Sequence, residues 1–235
     1  MSVRNLEDLF QPASVAIIGA SDRAGSVGSL VLRNLKQGGF KGPIWPVNKL
    51  RARVDGEPAW PDVESLPQPP DLAVICTPAG TVPELIAALG RKGTRAAIVV
   101  TAGLKQTPDD GGPTLEQAML DAARAHVSEG EIVHASFAPG NALPGKLAFV
   151  TQSGALATAM LDWANSRSVG FSHFISLGDS ADVDFGDVLD YLASDPGTRA
   201  ILMYMESVKA ARKFMSAARA AARNKPVIVV KAGRA

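Results

Sequence analysis

Short apolar runs alternate along the chain with longer segments in which apolar positions recur every three or four residues. The runs are SVAIIG (14–19), PIWPV (43–47), LAVICT (72–77) and AAIVVT (96–101), then LAFVT (147–151), HFISLG (173–178), AILMYM (200–205) and PVIVVK (226–231). They are rich in β-branched residues and nearly continuous rather than alternating, which predicts parallel strands buried on both faces. The periodic segments predict helices over 26–37, 81–92, 114–126, 154–166, 186–194 and 208–223. Strand–helix alternation builds βαβ units, so the expected fold class is α/β, with open parallel sheets and right-handed crossovers.

The alternation breaks once. VSEGEIVHASFAPGNALPG (127–145) has no clear period and holds two glycine-rich turns. Residues 1–128 are therefore expected to form a Rossmann-like domain and 129–145 a linker. Residues 146–235 are expected to form a smaller, flavodoxin-like domain. The last strand is followed only by AGRA, so this second domain reads as unfinished.

Composition narrows the class without naming a function. The chain has 235 residues, 46% of them hydrophobic and 20% charged, with a formal net charge of +1. That is the profile of a globular protein with no basic excess to draw nucleic acid or an anionic membrane. Cys76 is the single cysteine, so no internal disulfide forms, and a reducing cytoplasm fits. SVRNLEDLFQP after Met1 is too charged for a signal peptide, and no apolar run reaches the length of a membrane span. No metal site is expected.

Candidate chemistry begins at SVAIIGASDRAGSVGSLVLRNL (14–35), where a strand runs into glycines that open a helix. Gly19, Gly25 and Gly28 are spaced G-x5-G-x2-G, longer than the G-x-G-x-x-G dinucleotide fingerprint. The second strand ends in PVNK, which offers Asn48 and Lys49 where NAD would want a carboxylate. A cation there suits an extra phosphate on the ribose side, as in CoA or NADP. Backbone amides at the start of helix 26–37 would take a diphosphate, aided by the helix dipole. Spacing alone does not choose between these ligands.

The run LFQPASVAIIGASDRAGSVGSLVLRNL resembles the opening of the NDP-forming acyl-CoA synthetases, relatives of the succinyl-CoA synthetase α subunit. The likeness continues in order through GGFKGPIWPVN, PPDLAVICTPAGTVPELIAALGRKGTRAAIVVTAGL and LPGKLAFVTQSGALATAMLDWA, and ends at KPVIVVKAGR. It implies that the first domain binds CoA. The CoA phosphates would lie along Gly19, Ser21, Arg23, Gly25, Ser26 and Val27, with Asn48 and Lys49 nearby. Thr77 and Pro78 of CTPA, and Thr101, Ala102 and Gly103 of VTAG, would line the groove. The family usually has PVNP before its basic residue, whereas this chain has PVNK.

FVTQSGALATAM repeats the strand–turn–helix pattern, placing Ser153 and Gly154 where helix amides converge. By sequence this is an ordinary Ser N-cap or an anion site. The resemblance implies that the turn helps hold inorganic phosphate carried on a catalytic histidine, and that Glu206, at the end of AILMYME, orients that histidine. None of His126, His134 and His173 stands in the SHTG-like context that carries it. A GPNC-type loop usual between the family's domains is also absent from AARAHVSEGEIVHASFAPGNALPG. The implied function is the CoA-binding portion of an acid–CoA ligase, inactive alone. ATP or ADP and Mg would enter through an ATP-grasp partner or fused domain, and a homo-oligomer is compatible with all of this.

Two other readings stand beside it. One is the CoA-sensing module of a GNAT-type protein acetyltransferase, and the other is an NAD(P)-dependent oxidoreductase, for which no acid–base constellation accompanies the fold. KAARKFMSAARAAARN (209–224) has a basic face and an Ala/Met/Phe face, as a solvated helix on a sheet would.

Overall fold

The computed structural model describes residues 6–107, 111–126, 131–133 and 142–233. The chain divides into two compact units after Val133. In the first, helix α1 (Leu6–Phe10) precedes β1 (Val15–Ile18), α2 (Val27–Gln37) and β2 (Ile44–Val47). A hairpin of β3 (Arg53–Val54) and β4 (Glu57–Pro58) follows, then β5 (Leu72–Ile75), α3 (Val82–Lys92), β6 (Ala96–Val99), α4 (Leu115–His126) and β7 (Glu131–Val133).

The five long-range strands pair in the order β2-β1-β5-β6-β7, all parallel. The chain therefore winds outward in both directions from β1 and β5, which makes the gap between those two strands the topological switch point. Central β1 is buried at all four residues, and Val15 lies opposite Ile44 on one side and Leu72 on the other. At the amino ends of β1 and β5 a polar clamp fixes that register. Asp71 accepts the backbone N–H groups of Ala13 at 2.8 Å and Ser14 at 3.1 Å, and Ser14 Oγ accepts that of Asp71 at 3.0 Å.

The second unit runs β8 (Pro144–Thr151), α5 (Gly154–Ser166), β9 (Phe171–Ser176), α6 (Phe185–Ser194), β10 (Ala200–Met205), α7 (Ala211–Ala222) and β11 (Val227–Lys231). Its sheet has the order β11-β10-β8-β9, again parallel. The reversal here falls between β8 and β10. Phe149, Phe171 and Phe174 meet with ring centroids 4.9–6.4 Å apart and anchor one face of this sheet.

Both units are thus open parallel α/β sheets, as the hydrophobic runs indicated. The differences are local. Strand β9 starts at Phe171 rather than His173, because Phe171 pairs with the β8 backbone and the chain turns away through Gly178 at φ +54°. Residues 208–210 precede α7 in a turn, where the Lys209 ammonium donates to the Ser180 carbonyl at 3.1 Å. The segment expected as a linker supplies two strand ends: β7 as an edge of the first sheet and the opening residues of β8 in the second. The position expected to hold a GPNC-type loop, His134 included, lies outside the described residues. No helix among the described residues is long and apolar enough to cross a membrane.

Candidate functional site

The carboxyl ends of β2, β1 and β5 converge on a cavity of about 650 Å³. Its floor and apolar wall come from Ile18, Val47, Val63, Leu85 and Ala88, and Gly19, Asn48, Lys49 and Thr77 stand at its strand-end side. The cavity sits where the strand order reverses, the place open α/β sheets hold ligands.

The glycines shape the approach to it. Gly19 has φ +87°, and a Cβ there would lie 2.9 Å from Thr77 Cγ2 and 3.1 Å from the Cys76 carbonyl oxygen. A Cβ on Gly28 would stand 2.1 Å from the Gly19 carbonyl oxygen. The first turn of α2 therefore packs directly on the end of β1, and only hydrogen at position 28 permits it. Gly25, at φ +76°, has open space where its Cβ would project. Ser26 caps α2, its hydroxyl accepting the Ser29 N–H at 3.3 Å, so Val27 starts the helix with its amide end at the carboxyl edge of the sheet. Ser21 Oγ accepts the Arg23 N–H at 3.1 Å and holds the preceding loop in a turn.

Asn48 binds loop to loop rather than presenting a free amide. Its Nδ2 donates to the Ala20 carbonyl at 2.7 Å, while Oδ1 accepts the N–H groups of Leu50 at 2.9 Å and Arg51 at 3.0 Å. Thr101 Oγ1 donates to the Thr77 carbonyl at 2.6 Å, and Thr77 Oγ1 lies 2.8 Å from Thr81 Oγ1. The Thr101 hydroxyl thus ties the turn after β6 to the end of β5. Pro78 opens the short 3-10 turn at Ala79–Thr81, and Ala102 and Gly103 continue the turn after β6, with Gly103 at φ +94°.

The charge pattern separates structural cations from available ones. Arg51 pairs with Asp22 at 3.3 Å, Lys36 with Asp55 at 2.8 Å and Arg91 with Glu64 at 3.4 Å. Lys49 and Arg23 make no such pair among the described residues, and both are exposed. The rim also carries carboxylates: Asp62 is held below the ordinary range chiefly by the hydrogen bond from the Ser65 backbone N–H. Cys76, just below the rim, has its thiol pushed up to about 12 by burial, which keeps it protonated.

The structure brings Gly19, Asn48, Lys49 and Thr77 into one cavity wall. Ser21 faces a second hollow of about 450 Å³ on the outer side of α2, with Asp22, Arg33 and Lys36. Arg23, Gly25, Ser26, Val27, Pro78, Thr101, Ala102 and Gly103 occupy the same sheet edge without lining the larger cavity. Sequence reasoning missed its apolar wall, Val63, Leu85 and Ala88, because in the chain they read only as core-facing positions.

In the second unit, Ser153 caps α5, its hydroxyl accepting the Leu156 N–H at 3.4 Å, and its own N–H donates to Thr151 Oγ1 at 3.0 Å. Gly154 begins the helix. Exposed Glu206 follows β10, the strand beside β8, so it shares the carboxyl edge with Ser153. Gln152 was not singled out by sequence, yet its Oε1 accepts the N–H groups of both Glu206 and Ser207. His173 lies in the first half of β9, away from that edge. Its Nδ1 is 3.5 Å from Asp195 Oδ2 and 3.3 Å from Thr198 Oγ1, with Tyr191 edge-on at 5.7 Å. Burial lowers its pKa and Lys225 adds to that, against the pull of Asp195. Helix α4 ends at His126. No group of three His, Cys, Asp or Glu among the described residues is arranged to hold a metal ion.

Each of the two units matches a known family. Residues 13–135 match the CoA binding domain and residues 144–235 the succinyl-CoA ligase like flavodoxin domain. The chain is 36% identical to the acetate–CoA ligase [ADP-forming] I subunit alpha of Pyrococcus furiosus, covering 98% of this chain and 53% of that protein. It is 38% identical to the acetate–CoA ligase [ADP-forming] I of Archaeoglobus fulgidus, covering 97% of this chain and 35% of that one. Among solved structures, the dinucleotide forming acetyl-coenzyme A synthetase 1 of Ca. Korarchaeum cryptofilum, in complex with phosphate and ADP, superposes with a TM-score of 0.89. Its identity is 34%, over 98% of this chain and 52% of that one. The chain thus spans between about a third and a half of the length of these relatives.

Proposed function

This chain belongs to the NDP-forming acyl-CoA synthetase family, and on that premise we propose that it is the CoA-binding portion of an ADP-forming acid–CoA ligase. The observation that carries the reading is Lys49: an exposed cation without an acidic partner among the described residues, at the wall of the switch-point cavity beside Gly19. The residues present fit a nucleotide with several phosphates. Gly25, with open space where a side chain would project, and the amide end of α2 would receive a diphosphate. Lys49 and Arg23 supply positive charge for a further phosphate, and the apolar wall of Val63, Leu85 and Ala88 suits a flat base.

The completed enzyme would convert acyl-CoA, phosphate and ADP to acid, CoA and ATP, by way of acyl phosphate and a phosphorylated histidine. In that scheme the turn at Ser153 and Gly154 offers helix amides to phosphate, and Glu206 orients the histidine. Fixed amide dipoles stabilise charge on a migrating phosphoryl group without having to reorganise. The histidine would come from further polypeptide after the KAGR segment, and ADP and Mg from an ATP-grasp subunit or fused domain. His173 does not serve, since it is held by Thr198 and Asp195 in the first half of its strand.

Titration calorimetry with CoA, dephospho-CoA and NAD tests the first half of this reading. CoA is expected to bind, dephospho-CoA more weakly, and NAD not at all. Tighter binding of NAD than of CoA overturns it.

A further inference from the structure

The carboxyl edge of the second sheet holds a hydroxyl that the fold leaves unsatisfied. Ser176 closes β9 at 6% exposure, and its Oγ is buried without a hydrogen-bond partner among the described residues. Its direction follows from the pleat. Phe149 of β8 and Phe174 of β9 lie opposite each other and share one apolar cluster with Leu156, Met160 and Ala164 of α5. Side chains two places further along return to the same face, so Thr151 and Ser176, again opposite each other, stand on the α5 side of the sheet. Thr151 bears this out: its Oγ1 accepts the N–H of Ser153, the cap of α5, at 3.0 Å.

The start of α5 is short of acceptors as well. Ser153 satisfies two first-turn amides, its hydroxyl taking the Leu156 N–H at 3.4 Å and its carbonyl taking that of Ala157 at 3.0 Å. The N–H groups of Gly154 and Ala155 have no acceptor within the helix, as the geometry of a helix start requires. A buried hydroxyl without a partner is a standing cost to a fold, and native proteins keep few of them. Thr94 and Ser180 are the other buried hydroxyls of this kind among the described residues. Thr94 precedes β6, at the amino edge of the first sheet. Ser180 stands by the start of α6, but there the Asp184 carboxylate already takes the N–H groups of Gly186 and Asp187. Only Ser176 adjoins a helix start whose cap is neutral.

We infer that the Ser176 hydroxyl donates to an oxygen of inorganic phosphate seated at the first turn of α5. An O–H group facing an oxyanion makes a short, charge-assisted bond, and the two spare amides add theirs at the positive end of the helix dipole. Phosphate has oxygens enough to accept from all three donors at once, whereas a water molecule has two lone pairs to offer. The inference rests on the proposed function, in which phosphate is a substrate held at this turn, and adds Ser176 to Ser153 and Gly154 as a binding residue.

Calorimetric titration and thermal melts of the full chain in potassium phosphate, against potassium chloride of equal ionic strength, test it. The wild-type chain is expected to bind phosphate, and Ser176→Ala to bind it at least about tenfold more weakly. In chloride, Ser176→Ala should melt no lower than wild type, because alanine removes a buried hydroxyl that has no partner to lose. That pair of results separates a ligand-binding hydroxyl from a structural one. Ser176→Cys, whose thiol is a weak donor, should follow Ser176→Ala. Ser180→Ala removes the neighbouring orphan and should keep the phosphate affinity of wild type. Equal phosphate affinity in wild type and Ser176→Ala overturns the inference, as does a wild-type chain that takes up no phosphate. A lower melt of Ser176→Ala in chloride overturns it too, since the hydroxyl would then have a partner inside the fold. CoA calorimetry on the same protein keeps the two readings apart. A wild-type chain that binds CoA but not phosphate loses this inference alone. One that binds phosphate through Ser176 but not CoA loses the CoA-binding reading, while Ser176 keeps its assignment.

Discussion

The Gln152 side-chain carbonyl accepts the backbone N–H of Glu206 at 2.8 Å, which ties the turn after β8 to the turn after β10 at the reversal of the second sheet. A second bond, from Ser207 N–H at 3.0 Å, makes the same oxygen serve both residues. One amide thus fixes where the Glu206 carboxylate begins relative to the Ser153 turn.

Replacing Gln152 with Leu removes that acceptor from two amides. The expected loss is on the order of 1–3 kcal/mol, the cost of leaving polar backbone groups without their partner. Gln152→Glu keeps an acceptor oxygen and should lose less. Urea unfolding followed by circular dichroism measures both, and equal midpoints for Gln152→Leu and wild type would refute the assignment.

Gly28→Ala places a methyl carbon 2.1 Å from the Gly19 carbonyl oxygen, so α2 must move off β1. A destabilisation of about 1–3 kcal/mol is expected from overpacking, together with weaker CoA binding. Gly25→Ala meets no atom within 4 Å, and its cost is confined to the strain of a left-handed backbone, roughly 1–2 kcal/mol. Calorimetry on the two variants separates space from strain.

Lys49→Ala should weaken CoA about tenfold, on the order of 1.4 kcal/mol, while leaving the melting temperature unchanged because the side chain is exposed and has no acidic partner among the described residues. With dephospho-CoA the difference between Lys49→Ala and wild type should shrink. A penalty of the same size for both ligands would place the lysine away from the extra phosphate.

His173 couples stability to pH. Its folded pKa is lowered from 6.5, first by burial and then by Lys225, against Asp195, so the unfolded chain binds this proton more readily than the folded one. The stabilisation is therefore complete above about pH 6.5 and declines as the pH falls through that value toward the folded pKa. Urea midpoints at pH 7.5 and pH 5.5 should diverge less in His173→Gln than in wild type.

Cys76 should resist iodoacetamide at pH 8 in the folded chain, since burial pushes its thiol up to about 12. It should react at the rate of a free thiol in urea. As the single cysteine, it gives one readout without ambiguity. Rapid alkylation of the folded protein would contradict the burial of its thiol.

Much of this molecule is written in local pattern. Continuous β-branched runs gave eight strands and the parallel class, because a strand covered on both faces has no polar side to alternate. The short hairpin of β3 and β4 falls outside those runs: Asp55 and Gly56 adopt positive φ, 50° and 77°, in its turn. Edge strand β7 was hidden, since three residues outside the hydrophobic rhythm become a strand only when β6 offers them hydrogen bonds.

The sequence by itself determined the strand–glycine–helix turns and the family likeness, because these depend on neighbours within a few residues. Tertiary structure alone decided which cations are available. Arg51, Lys36 and Arg91 find carboxylates from distant segments, whereas among the described residues Lys49 finds none, and ion pairing is a matter of distance in space rather than along the chain. It also decided that Asn48 and Gln152 hold loops together, since a side-chain amide takes its role from whichever backbone the fold brings within reach.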